Sequence, residues 1–247
     1  MLVEGLAALR PDLIGLQEVS LPRNTAQWLA DQLNNTGDSQ KRPYTVHLCR
    51  KTGEKAEKEG LAILSRWSVE ECARLDLQTQ FRVAQLARVK VQERSLVFVN
   101  AHLFWQPRES PERVAQVKLL LDWLRPLPSD WPVVIVGDFN GTPETQAIQV
   151  MREHFTSAYA ARHGREPEYT CPTPLAINSL KQLLKSYALN LLVNHSVKPW
   201  HGTLDYIFVN QRLRALESEV ILNRPAPYDP TLYPSDHFGL MTELEIQ

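Results

Sequence analysis

The run Val133-Val134-Ile135-Val136, followed by Gly137-Asp138-Phe139-Asn140, constrains this chain more than any other stretch. Four apolar β-branched residues in succession leave no polar alternation, so the strand they form must be covered on both faces inside a layered structure. Polar chemistry starts where that strand stops. Gly137 permits a sharp turn, and Asp138 and Asn140, two residues apart, both face a pocket at the strand's carboxyl end if the extended backbone continues. A carboxylate and an amide there suit a hard cation and a phosphate oxygen. Taken alone, Asp-Phe-Asn-Gly reads better as a turn, since Asn-Gly is among the commonest turn dipeptides.

The same arrangement recurs, and recurrence changes the reading. Asp12-Leu13-Ile14-Gly15-Leu16-Gln17-Glu18 ends in a carboxylate, Leu96-Val97-Phe98-Val99-Asn100-Ala101-His102 ends in an imidazole, and Thr203-Leu204-Asp205-Tyr206-Ile207-Phe208-Val209 carries its carboxylate at the strand's start. Ser235-Asp236-His237 adds two more polar groups near the far end. A metal-assisted hydrolase needs ligands and proton carriers that converge from separate rigid elements, and these segments supply them.

Leu16-Gln17-Glu18-Val19, Ala62-Ile63-Leu64-Ser65-Arg66, Ala101-His102-Leu103, Gly137-Asp138-Phe139-Asn140, Leu204-Asp205-Tyr206-Ile207 and Ser235-Asp236-His237 follow one another in this order. That series resembles the endonuclease/exonuclease/phosphatase superfamily. The resemblance implies an α/β (α+β) fold, a four-layer α-β-β-α sandwich of two mixed sheets with the site at one end of the sheet pair, filling residues 1–247 as a single domain. It also implies divalent-metal-dependent hydrolysis of a phosphodiester or phosphomonoester. Two departures stand out. Members normally open with a strand bearing an Asn in the site, and Met1 to Arg10 holds none, so the chain is expected to lack the usual first strand, with the missing strand encoded upstream. The connection before Asp205 is long, a helical insertion at about 172–200 whose leucines at 180, 183, 184, 191 and 192 recur at helical spacing. That helix is expected to lay its apolar face against the domain, as a lid over the substrate or as packing alone.

Phosphoester hydrolysis requires a water nucleophile, neutralised phosphoryl charge and a stabilised leaving oxygen. Glu18 offers a hard oxygen ligand for Mg²⁺ or Mn²⁺. Asp138 would orient or deprotonate the water, Asn140 would hold it or a phosphoryl oxygen, and His102 would donate to the scissile phosphate. His237 would be held protonated by a carboxylate on its far ring nitrogen. By resemblance that carboxylate is Asp205, and Asp236 lies on the metal side.

His102-Leu103-Phe104-Trp105-Gln106-Pro107, Gln116 and Gly164-Arg165-Glu166-Pro167-Glu168-Tyr169-Thr170 further resemble the deadenylase and nocturnin branch, whose members act on RNA or a nicotinamide dinucleotide. Phe104, Trp105 and Tyr169 would then stack on a nucleobase, with Trp200 as a further apolar wall. Trp105 reads equally well as half-buried where a loop meets the sheet. The expected substrate is a nucleic acid or a phosphorylated small molecule. A lipid headgroup or sugar phosphate, or a phospho-ligand-binding relative with little turnover, remain as alternatives.

Composition narrows partners more than fold. The 247 residues, 43% hydrophobic and 22% charged, suffice for one large core. Lys and Arg total 27 against 28 Asp and Glu, so no global positive field exists to hold a long duplex, although a local basic patch is compatible with these counts. Three widely spaced cysteines fit no zinc pattern, and with no signal-like amino terminus or membrane-length apolar run a cytoplasmic setting is expected. Helices are expected at residues 2–10, 25–33 and 112–124 and strands at 12–19, 44–49 and 61–65, with 82–92 and 95–101 as an antiparallel pair. Residues 34–40 read as a polar loop, and Lys51 to Gly60, with alternating charges, as a solvated one.

Overall fold

The computed structural model describes residues 1–36, 42–106, 109–177 and 179–247. The expected loop at 34–40 falls largely outside them. Helix α1 (Leu2–Leu9) and strand β1 (Leu13–Ser20) are followed by α2 (Thr25–Asn34), β2 (Thr45–Arg50) and β3 (Glu59–Ser65). Then come β4 (Ser68–Asp76), β5 (Val83–Val91), β6 (Arg94–His102), α3 (Pro111–Leu124), β7 (Val133–Asp138) and α4 (Gln146–Arg152). The chain closes with β8 (Thr156–Ser157), α5 (Ala158–His163), α6 (Leu180–Asn194), β9 (Asp205–Val209), β10 (Leu213–Ile221) and β11 (Gly239–Ile246).

A six-stranded sheet, in the order β4-β5-β6-β7-β9-β8, is antiparallel except where β6 and β7 run parallel. Parallel neighbours need a crossover, and α3 provides it. Ser110 caps that helix by accepting from the Arg113 N–H, and Pro111 opens its first turn. The β7 valines divide as a doubly covered strand must. Val133 and Ile135 pack with Val117 and Leu120 of α3 and Ile148 of α4, whereas Val134 and Val136 pack with Ile63 of β3.

The facing layer is split into an antiparallel sheet β1-β3-β2 and an antiparallel ribbon β10-β11. Leu29, Ala30 and Leu33 of α2 and Leu6 of α1 cover its outer side against Ile14, Ala62 and Leu64. The order helix, sheet, sheet, helix is the expected four-layer sandwich. The two sheets approach closely at Gly15, where a Cβ would meet Val136 Cγ2 at 2.6 Å. Among the described residues no helix is long and apolar enough to cross a membrane.

Candidate active site

Strand register assembles the site. Parallel pairing sets His102 of β6 beside Asp138 of β7, and antiparallel pairing sets Asp138 beside Asp205 of β9. Three strands thus deliver an imidazole and two carboxylates in one row. Gly137 makes the row possible: it has φ 134°, and a Cβ there would lie 1.9 Å from the Ala101 carbonyl oxygen. Asn140 departs from expectation, because the backbone does not stay extended. At φ 50° it turns back, its N–H donating to Asp138 Oδ1 (2.8 Å) and its Nδ2 to Asp138 Oδ2 (3.0 Å) and the Leu103 carbonyl (3.1 Å). Asp138 reaches the cleft from the end of β7, and Asn140 joins it through a left-handed turn rather than through the pleat.

His237 enters from the loop before β11. Its Nδ1 donates to Asp205 Oδ2 at 2.8 Å, and the same oxygen accepts from Thr170 Oγ1 at 2.6 Å. That hydroxyl in turn accepts from the N–H of Leu204 and of Asp205, so the carboxylate is fixed before any substrate arrives. Burial works against the imidazolium, but the Asp205 charge and hydrogen bond outweigh it and hold His237 up to about 12. Burial also raises Asp205. Both directions say that the pair keeps one proton through the neutral range. Asp138 lies lower than an ordinary carboxyl: burial raises it, yet the His102 hydrogen bond and charge, then His237 and the Asn140 N–H, outweigh that. His102 itself has Nε2 3.3 Å from Asp138 Oδ2 and Nδ1 2.8 Å from the Arg82 guanidinium. Both ring nitrogens therefore contact protein groups.

Two clusters can be compared. Asp138, Asp205 and His237 hold one donor atom each within 4.8 Å of one another, and so do Glu18, Glu59 and His102. Glu18 stands at a bulge, where the β1 to β3 register shifts between Leu16 and Val19, and it has φ 55°. Its carboxylate makes no hydrogen bond among the described residues and faces the charges of Lys51 and Arg82. Asp236, expected beside Glu18, lines the same cleft but joins neither cluster, and the carboxylate grouped with Glu18 is that of Glu59.

Sequence reasoning passed over several residues that matter here. Buried Asn100 donates to the carbonyls of Leu16 (2.9 Å) and Ala62 (3.0 Å) and accepts from Gln17 Nε2 (2.7 Å), tying β6 to β1 and β3 just behind Glu18. The available signal was a lone amide within an apolar strand. Lys51 is not in a solvated loop: it is buried, pairs with Glu59 and lines the cleft, with Arg82 close by. Alternating charge along the sequence disguised it, because only the tertiary fold turns Lys51 inward.

The cleft measures about 1430 Å³, and Trp105 and Trp200 line it. Phe104 and Tyr169 do not. Phe104 is buried, its N–H bonded to Gln116 Oε1, and the Tyr169 ring packs on His201 (4.7 Å) and Phe238 (5.4 Å). Their aromatic surface is used within the protein. The insertion forms α6 as expected, but its apolar face is not packed: Ser186 and Asn190 are buried instead, bonded to the returning backbone at Trp200 and Lys198. Leu189 of α6 and Trp200 reach the cleft.

The chain is 28% identical over 189 residues to 2',5'-phosphodiesterase 12 of Mus musculus, covering 69% of this chain and 29% of that protein. It is 27% identical over 189 residues to Protein angel of Drosophila melanogaster, covering 70% and 49% respectively. The chain thus spans less than a third of the length of the phosphodiesterase relatives. Its fold is similar to that of D. rerio TDP2 complexed with a single strand DNA product (TM-score 0.74, 19% identity, 99% of this chain and 90% of that one). It is also similar to the human Nocturnin catalytic domain with a bound sulfate anion (TM-score 0.70, 21% identity, 100% and 84%). The family model described as Endonuclease/Exonuclease/phosphatase family matches residues 1–237, and the chain belongs to that family.

Proposed function

We propose that this chain is a divalent-metal-dependent phosphodiesterase acting on a nucleic acid or nucleotide. One observation carries the reading: an ionised Asp138 stands in register between His102 and Asp205, with a protonated His237 held on Asp205. The attacking water loses its proton to Asp138. His237 uses Nδ1 on Asp205, which leaves Nε2–H to donate to a phosphoryl oxygen as negative charge builds. Asn140 and His102, both bonded to Asp138, act by orienting that base. Glu18 and Glu59 offer hard oxygens close enough together to hold a Mg²⁺ or Mn²⁺ ion. When bound, such an ion supplies neutralisation of phosphoryl charge.

The nucleotide preference rests on the cleft and on the named relatives. Lys51, Lys55, Arg82 and Arg113 line a space wide enough for more than one phosphate, and Trp105 and Trp200 offer faces for a base. The test is a panel of 2',5'- and 3',5'-linked oligoadenylates, single-stranded DNA, a phosphorylated nicotinamide dinucleotide and sphingomyelin, each with Mg²⁺ or Mn²⁺. Cleavage of a nucleotidyl bond that stops in chelator is expected. Turnover confined to sphingomyelin would overturn the substrate, and no turnover of any member would leave a phospho-ligand-binding protein.

A further inference from the structure

We propose that α6 docks this protein onto an anionic lipid surface, its outward leucines entering the boundary between headgroups and acyl chains. An ordinary surface helix turns leucines to the core and polar residues to water. Here the order is inverted. Ser186 and Asn190, each 7% exposed, face the protein, while Leu180 (72%), Leu184 (60%) and Leu191 (51%) face outward together with Tyr187. At 100° per residue these four occupy an arc of about 60°. The inward contacts explain why the inversion holds: Asn190 Nδ2 donates to the Lys198 carbonyl (2.8 Å), and Ser186 Oγ accepts from the Trp200 N–H (2.8 Å). The helix is fastened by hydrogen bonds, and its apolar side is left for another surface.

Charge selects which surface. Between Cys171 and Leu204 the sequence contains Lys181, Lys185 and Lys198 and no Asp or Glu, although the whole chain carries a formal charge of −1. Lys181 and Lys185 lie together along one side of the leucine arc, on either side of exposed Leu192, so cations and apolar side chains share the outward surface, as suits a helix resting on a negatively charged membrane. Val197, on the loop after α6, is also exposed. A nucleic acid would engage the lysines but offers nothing to four exposed apolar side chains. Two copies of α6 face to face would bring lysines together with no acidic residue between them. Leu189, on the opposite side of the helix from the leucine arc, lines the cleft, so docking through the arc leaves the cleft open.

Cosedimentation of the purified full chain with phosphatidylcholine vesicles, with and without phosphatidylserine, tests this. We expect at least tenfold stronger partitioning to the anionic vesicles, falling as salt rises. Leu184→Ser with Leu191→Ser should lower partitioning about tenfold or more, with circular dichroism and hydrolysis of bis-p-nitrophenyl phosphate unchanged. Lys181→Gln with Lys185→Gln should remove the anionic preference, and this pair serves if the serine variant misfolds. Failure to bind anionic vesicles at low salt, or equal binding by both variants, overturns the proposal. So does a dimer that the serine variant dissociates, or oligonucleotide binding that the same variant abolishes, since the arc would then serve a second copy or a nucleic acid.

Discussion

The two acidic clusters of the cleft share the neighbourhood of His102 but are built on opposite logics. In the Asp138, Asp205 and His237 cluster every carboxylate is already engaged: Asp138 with Asn140, Asp205 with Thr170 and His237. In the other, Glu18 is exposed on a strained bulge and makes no hydrogen bond among the described residues, and Glu59 pairs with Lys51. On the proposed reading the first handles protons, its carboxylates already held by hydrogen bonds. The second leaves that Glu18 carboxylate facing Lys51 and Arg82, and on the proposed reading it is the one that takes the cation. The difference teaches that nearness of acidic groups is not enough to identify a metal centre; what matters is whether hydrogen bonds have already consumed the lone pairs.

The largest expected effect comes from removing the base. Asp138→Ala should lower kcat about 10³-fold or more with little change in substrate affinity, as read by single-turnover kinetics. Next is Asp205→Asn, expected to lower kcat/KM about a hundredfold and to change its pH profile. His237 is raised in the folded protein, so it stays charged well above the usual 6.5 for histidine. Stability from its protonation is fully present below about 6.5 and is lost as pH rises toward about 12. Without Asp205 the ring should titrate near its ordinary value by NMR, and an alkaline loss of activity should move down into the neutral range. A wild-type ring that titrates near 6.5 would break the contrast between the clusters.

Glu18→Gln and Glu59→Gln sharpen the other half. Each should weaken Mg²⁺ or Mn²⁺ affinity roughly 10- to 100-fold by calorimetry while leaving the His237 titration unchanged. If Asp236→Asn weakens the ion more than Glu59→Gln, Asp236 is the true partner of Glu18. Asn100→Leu removes the side-chain hydrogen bonds to the Leu16 and Ala62 carbonyls and from Gln17 and should destabilise the fold by about 2–4 kcal/mol in denaturant titration, with the metal affinity falling because the bulge loosens. Trp105→Ala is the smallest, a two- to fivefold rise in KM for oligonucleotides with kcat intact; no change would mean that the tryptophan only walls the cleft.

Much of this could be read from the residues. Four β-branched apolars can only be buried, so β7 and its doubly covered place were legible, and the polar residue at each strand end named His102, Asp138 and Asp205 as site members. The helices at α2 and α3 followed from apolar spacing. The exposed strand β4 and the ribbon β10-β11 were not among the expected elements, because each is only half covered and charged residues interrupt its apolar pattern. Partnership was beyond the sequence altogether. Register decided that Asp138 lies between His102 and Asp205, and a bulge decided that Glu18 meets Glu59. Packing decided that Lys51 turns inward while Phe104 and Tyr169 turn away. In α6 the spacing correctly announced a helix, yet which side faced the protein was settled by Ser186 and Asn190 bonding to a strand of backbone many residues later. Local pattern reports what a segment can bury; only the assembled chain determines what there is to bury it against.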